Sequence, residues 1–110
     1  MSEGVVERIR SYIEGNDIVI FMKGTRAMPM CGFSAQTVRL FESYGVPFET
    51  VDVLEDPELR QALKEYSNWP TFPQVYIKGK LIGGCDICNE LHATGELEKM
   101  AKEATSHKAA

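Results

Sequence analysis

Asp17-Ile18-Val19-Ile20-Phe21-Met22-Lys23-Gly24-Thr25-Arg26-Ala27-Met28-Pro29-Met30-Cys31-Gly32-Phe33-Ser34 is the stretch on which the fold turns. Residues 18–22 form an unbroken apolar run rich in β-branched side chains, the pattern of a strand covered on both faces and parallel to a neighbour. Across residues 23–30, Gly24 and Pro29 break any periodicity, so a loop follows the strand's carboxyl end. From Cys31 the spacing becomes helical. Phe33, Val38, Phe41 and Tyr44 supply an apolar stripe, and Gly45 with Pro47 supplies the stop. Cys31 therefore stands where the loop enters a helix.

On the N-terminal side, Val5, Ile9, Tyr12 and Ile13 recur at helical spacing and end before Gly15-Asn16, a turn-forming pair. On the C-terminal side, residues 48–53 alternate apolar with polar and predict a second strand, closing a right-handed βαβ unit. Asp56-Pro57 is a helix start by its chemistry, Asp capping free amides and Pro taking the first helical position, with Leu59, Ala62, Leu63 and Tyr66 toward the core. After Trp69-Pro70-Thr71-Phe72-Pro73, residues 74–77 pair with 80–82 across Lys78-Gly79, where Gly79 can take a positive φ. Gly83-Gly84 ends that hairpin. Asp86 is expected to cap a helix running through Leu91, and Leu97, Met100, Ala101 and Ala104 predict a last helix after Gly95. The order βαβ, helix, ββ, helix predicts an α/β domain of class thioredoxin fold: a four-stranded mixed sheet with helices on both faces. In such open sheets ligands bind beyond the strand ends, where the loop before Cys31 lies.

The chain has 110 residues, enough for one domain with its own core, and residues 1–110 are expected to form just that. A net charge of −4 sets its field against nucleic acid and anionic membrane surfaces, so neither is an expected partner. No apolar segment approaches the ~20 residues that span a bilayer, and the start lacks a basic stretch followed by an apolar run. Three cysteines, Cys31, Cys85 and Cys88, are too few and too odd for a disulfide framework, which favours reducing surroundings. A cytoplasmic location is expected, or an organelle if a targeting segment has been removed.

A cysteine at a helix start meets outward-pointing amides and the positive end of the helix dipole, both of which favour thiolate. Cys31 is accordingly the candidate nucleophile or metal ligand, with Lys23 at the adjacent strand end. Ser34 occupies the position three residues on, where a dithiol enzyme would place its resolving thiol, and a hydroxyl cannot attack a mixed disulfide at neutral pH. A self-contained dithiol cycle is absent. Cys85-Asp86-Ile87-Cys88 is a literal Cys-x-x-Cys, but it follows the last hairpin instead of the first strand, and Cys88 reads as a small buried hydrophobe. His92 and His107 lack the spacing partners of a zinc set. Taken from residue type alone, Lys23 and Arg60 are as readily solvated charges as anion ligands, and Pro73 is by default a trans proline opening an edge strand.

The sequence resembles the monothiol glutaredoxins with a Cys-Gly-Phe-Ser site. Lys23-Gly24-Thr25, the long loop with Pro29 before Cys31-Gly32-Phe33-Ser34, Trp69-Pro70-Thr71-Phe72-Pro73 and Gly83-Gly84-Cys85-Asp86 all occur in the order and spacing of that family, over residues 5–100. Arg26 departs from the proline that relatives often carry there. The resemblance implies a glutathione site, a [2Fe-2S] cluster shared by two subunits, and a cis bond before Pro73. By matching motif positions it implies that Lys23 and Arg60 hold the glycine carboxylate of glutathione. Phe72 would pair its backbone with the tripeptide's cysteine, and Gly84, Cys85 and Asp86 would receive the γ-glutamyl end.

Two principal activities follow as expectations. The first is a carrier: a [2Fe-2S] centre usually takes four thiolates, so two copies of Cys31 and two glutathione thiolates complete the set in a cluster-bridged homodimer that serves iron–sulfur acceptor proteins. The second is a glutathione-dependent thiol oxidoreductase acting on protein–glutathione mixed disulfides through Cys31, at most a weak enzyme, since free glutathione has to resolve the intermediate. A third, weaker reading is zinc held by Cys31, Cys85 and Cys88.

Overall fold

The computed structural model describes residues 2–106. Helix α1 (Glu3–Gly15) starts on Ser2, whose hydroxyl accepts from the Val5 amide, and presents Val5, Ile9 and Ile13 to the interior. Strand β1 (Ile18–Met22) is buried at every residue and sits inside the sheet. It is followed by α2 (Gly32–Tyr44), β2 (Glu49–Asp52), a short 3₁₀ turn (Val53–Glu55) and α3 (Pro57–Ser67). The β3 (Gln74–Ile77) and β4 (Lys80–Gly83) hairpin, α4 (Cys85–Ala93) and α5 (Glu96–Thr105) complete the chain's described elements.

The strand order is β2-β1-β3-β4. Strands β1 and β2 run parallel with Phe21 opposite Val51, whereas β3 is antiparallel to both β1 and β4. Because side chains alternate across a strand, β1 feeds two cores. Val19 and Phe21 meet Val5, Ile9, Leu59 and Leu63 of α1 and α3 on one face. Ile18, Ile20 and Met22 meet Val38, Phe41, Cys88, Leu97 and Ala101 of α2, α4 and α5 on the other. The expected four-stranded mixed sheet with helices on both faces is the fold observed, the thioredoxin arrangement.

Several local expectations are corrected. The second strand is Glu49–Asp52, not 48–53, because the Asp52 carboxylate accepts from the Leu54 amide and turns the chain into the 3₁₀ segment. Phe33 and Tyr66, assigned to core-facing stripes, are 58% and 39% exposed. Each lies in a terminal turn of its helix, and helical spacing gives a direction without saying whether another element is there to cover it. The fourth helix begins at Cys85 on a Gly84 cap and runs to Ala93, so Asp86 is a first-turn residue instead of the cap. In the hairpin both Lys78 (φ 51°) and Gly79 (φ 81°) are left-handed, the two-residue geometry that suits the twist of the flanking strands.

Candidate functional site

The loop between β1 and α2 is a folded object. Gly24 and Pro29 form an isolated β-bridge, the Met30 amide donates to the Lys23 carbonyl (2.9 Å), and the Thr25 amide donates to the Met28 carbonyl (3.2 Å). The Thr25 hydroxyl accepts from the Met28 amide (3.0 Å), and the Asp52 carboxylate accepts from the Gly24 amide (3.0 Å). Gly24 has φ +94°, and a Cβ there would stand 2.4 Å from the Met30 nitrogen, so only glycine allows the two strands of the loop to touch. Arg26 ties the loop down, its Nε donating to Glu42 (3.1 Å) while its guanidinium lies 3.8 Å over the Phe48 ring.

Cys31 caps α2 with extended backbone, and its carbonyl accepts from the Ala35 amide. No side-chain hydrogen bond closes this cap in the structure. The Ser34 amide, then the Phe33 amide, the Ser34 hydroxyl and the Lys23 ammonium, nevertheless hold the Cys31 thiol below its ordinary value, overriding the opposing effect of partial burial. Ser34 is fully buried, and its hydroxyl accepts from the Lys23 amide (3.2 Å), which leaves its proton available to the sulfur.

A groove of about 550 Å³ opens beside that sulfur. Lys23, Cys31, Arg60, Phe72, Gly84, Cys85 and Asp86, the residues singled out from sequence, all line it. The Phe72–Pro73 bond is cis, as the resemblance implied. Lys64, one turn beyond Arg60 on the same face of α3, adds a third cation. The ion pairs found among the described residues involve none of the three. The far end is the start of α4, where unpaired amides and the positive helix end favour an anion.

The turn that carries Trp69 and Phe72 is held from below by Gln74, a fully buried amide. Its Nε2 donates to the Trp69 carbonyl (3.0 Å) and the Thr71 carbonyl (3.3 Å), and its Oε1 accepts from the Tyr76 hydroxyl (3.4 Å). Lys64 and Gln74 were both missed at the sequence level. The first could have been found from its i, i+4 relation to Arg60, the second from standing alone as a polar residue in a strand of Val, Tyr and Ile.

The three cysteines are separate in character. Cys88 is fully buried in the α2/α4/α5 core, and burial pushes its thiol up to about 12. Cys85 is buried at the groove's edge, its thiol donating to Gln36 Oε1 (3.4 Å). Among the described residues no group of three or more Cys, His, Asp or Glu comes together to hold a metal, so zinc through Cys31, Cys85 and Cys88 is not supported. His92 is a packing residue, hydrogen-bonded to the Tyr44 hydroxyl (2.6 Å) and tilted against its ring. His107 lies outside the described residues. No helix among those described is long and apolar enough to cross a membrane.

Comparison with known proteins agrees with this geometry. The glutaredoxin family model matches residues 18–82. A Synechocystis protein named as an uncharacterized monothiol glutaredoxin is 53% identical over 97 residues, covering 88% of this chain and 91% of its own. The solution structure of reduced apo GrxS14 from poplar superposes with a TM-score of 0.80 at 46% identity, over 91% of this chain and 92% of that one. The crystal structure of a buckwheat glutaredoxin–glutathione complex does so with a TM-score of 0.82 at 27% identity, over 94% and 96%. With one thiol held below its ordinary value at the start of α2, a buried serine in place of its partner, and half its sequence shared with such proteins along nearly their whole length, the chain belongs to the monothiol branch of the glutaredoxin family.

Proposed function

We propose that this glutaredoxin binds glutathione in the groove beside Cys31 and, as a pair of chains, carries a [2Fe-2S] cluster to acceptor proteins. The observation that carries the reading is the donor set. One thiolate-favouring, accessible sulfur faces a groove with three cations, Ser34 stands where a resolving thiol would sit on the same helix, and among the described residues no group of three or more Cys, His, Asp or Glu comes together to hold a metal. Glutathione brings two carboxylates, one ammonium and one thiolate. Lys23 and Arg60 are suited to its glycine carboxylate, the start of α4 at Gly84 and Cys85 to the γ-glutamyl carboxylate, and Asp86 to the ammonium. Phe72, beside the cis bond, lies between these ends and offers backbone to an extended peptide. The whole chain acts as one domain in a reducing compartment such as the cytoplasm.

Two chains and two glutathiones provide four thiolates. The cluster is cargo: half of its ligands are held noncovalently, which suits release to an acceptor. Met28 and Met30, 71% and 68% exposed, and Phe33 form an apolar lip next to Cys31 that a second chain or an acceptor can cover.

A second reading draws on the lowered Cys31 thiol. As nucleophile, the Cys31 thiolate attacks the glutathione sulfur of a protein mixed disulfide, forming a Cys31–glutathione disulfide and releasing the protein thiolate. A second glutathione thiolate then displaces Cys31 and leaves as oxidised glutathione. Anaerobic reconstitution with iron, sulfide and glutathione separates the two readings. The carrier predicts a coloured protein that sediments as a dimer, returns to monomer when chelator or glutathione removal strips the cluster, and turns over mixed disulfides feebly. A colourless protein with rapid turnover would favour the enzyme, and a coloured monomer would overturn the shared cluster.

A further inference from the structure

One polar atom in the groove wall has no partner. The Trp69 indole nitrogen has less than 1 Å² of accessible surface and, among the described residues, nothing to donate to. Trp69 lines the groove, and its nitrogen lies against Gly84, where an ideal Cβ would stand 3.6 Å from it and 3.2 Å from the Pro73 carbonyl oxygen. A buried donor left without an acceptor is destabilising, and native proteins carry few of them. The folded chain keeps this one at the junction of the Trp69–Pro73 turn and the start of α4. Glycine at residue 84 lets the start of α4 pack closely against it, and a Cβ there would crowd the Pro73 carbonyl.

We propose that the Trp69 N–H is a ligand-recognition donor of this site, completed when an oxygen of the γ-glutamyl residue of glutathione comes to rest at the start of α4 and the indole turns toward the groove to meet it. The inference rests on the glutathione reading above and adds a specificity determinant to it. Lys23, Arg60 and Lys64 recognise charge and would hold any small anionic thiol, whereas a single aimed donor at the other end of the groove distinguishes the tripeptide from a thiol that lacks the γ-glutamyl group. Because the nitrogen is closed to solvent in the free protein, the indole has to turn toward the groove to meet the oxygen, and no existing hydrogen bond opposes that turn.

The chain has one tryptophan, so it has one indole resonance. The reduced, isotope-labelled full-length protein is titrated with glutathione and, separately, with cysteinylglycine, which lacks the γ-glutamyl residue. Glutathione is expected to move the indole proton downfield, saturating together with the Gly84 and Cys85 amides. Cysteinylglycine is expected to shift amides near Cys31 and leave the indole in place. Trp69→Phe keeps the aromatic wall and removes the donor: it should bind glutathione about tenfold more weakly and cysteinylglycine equally well. Its thermal midpoint should not fall below that of the parent, because the donor it lacks is unsatisfied in the free protein. Saturating amide shifts with a stationary indole would overturn the assignment, as would equal loss of both ligands in Trp69→Phe. An absence of saturable shifts with glutathione would instead remove the glutathione reading and this inference with it.

Discussion

Replacing Gln74 with leucine tests whether the site is held by the sheet beneath it. The substitution preserves volume and apolar packing but deletes the two donated bonds to the Trp69 and Thr71 carbonyls and the acceptor for the buried Tyr76 hydroxyl. Trp69 and Thr71 are partly or fully open to solvent, so their carbonyls can turn to water, and each lost bond then removes about 1 kcal/mol net. Tyr76 is 3% exposed, but its hydroxyl keeps a hydrogen bond to Ser67, so losing the long 3.4 Å bond to Gln74 adds no more than about 1 kcal/mol. The sum is about 2–3 kcal/mol, a sizeable part of the ~5–15 kcal/mol typical of a domain. For a chain of this length it corresponds to a fall in Tm of roughly 8–12 °C. Urea unfolding of the reduced protein followed by circular dichroism measures the loss, and Trp69 emission reports the turn directly. A Gln74→Leu protein within about 0.5 kcal/mol of the parent, with unchanged emission, would refute the idea that Gln74 supports the Trp69–Pro73 turn.

Cys31 should ionise below the ordinary thiol range of ~8.5, read as thiolate absorbance against pH in Cys85→Ser/Cys88→Ser protein. A folded value depressed in this way contributes stability at alkaline pH that is lost as pH falls through it, and a midpoint at or above ~8.5 would dismiss activation by the helix start. Cys88 has the opposite sign: its thiol is pushed up to about 12, so the folded state keeps a proton that the unfolded chain releases, and stability should decline as pH rises from about 9 toward 12. Cys88→Val should flatten that decline in urea midpoints measured across the range, and an unaltered slope would place the alkaline loss elsewhere. Neutralising the groove's cations, as Lys23→Gln or Arg60→Gln, should raise the glutathione concentration needed for cluster reconstitution about tenfold per residue, as expected for one charge-assisted bond to a carboxylate. Unchanged dependence in both variants would make them ordinary surface charges.

How legible the molecule is from its sequence depends on how local the cause is. The apolar run of β1, the Asp56-Pro57 helix start and the Lys78-Gly79 turn are decided by neighbouring residues, and the structure shows each where it is expected. Phe33 and Tyr66 were misplaced because helical period says which way a side chain points and not whether anything lies there to cover it. The 3₁₀ turn escaped notice because one Asp52 carboxylate serves both the Leu54 amide and the distant Gly24 amide. At the site, Cys31 could be reasoned from its place at a helix start, whereas the grouping of Lys23, Arg60, Phe72, Gly84, Cys85 and Asp86 came from family resemblance. Spacing alone does not bring β1, α3 and α4 to one groove. Gln74 and the orphaned Trp69 nitrogen depend on contacts across a turn, which no periodicity encodes.

The cross-linked loop from Lys23 to Met30 bears on how quickly a partner can come and go. Fixing a residue's backbone costs about 1–2 kcal/mol at room temperature, so an unstructured loop of this size would lose on the order of 10 kcal/mol of conformational freedom on docking. Here the Gly24–Pro29 bridge and the bonds at Thr25, Met28 and Met30 have already spent that entropy during folding. The surface offered around Cys31 is therefore close to its bound shape before any encounter. A pre-shaped, small apolar lip favours contacts that form without an ordering step and part again readily, because little area has to be buried for the complex to form at all. Speed of exchange, more than tightness of grip, is what such a loop provides.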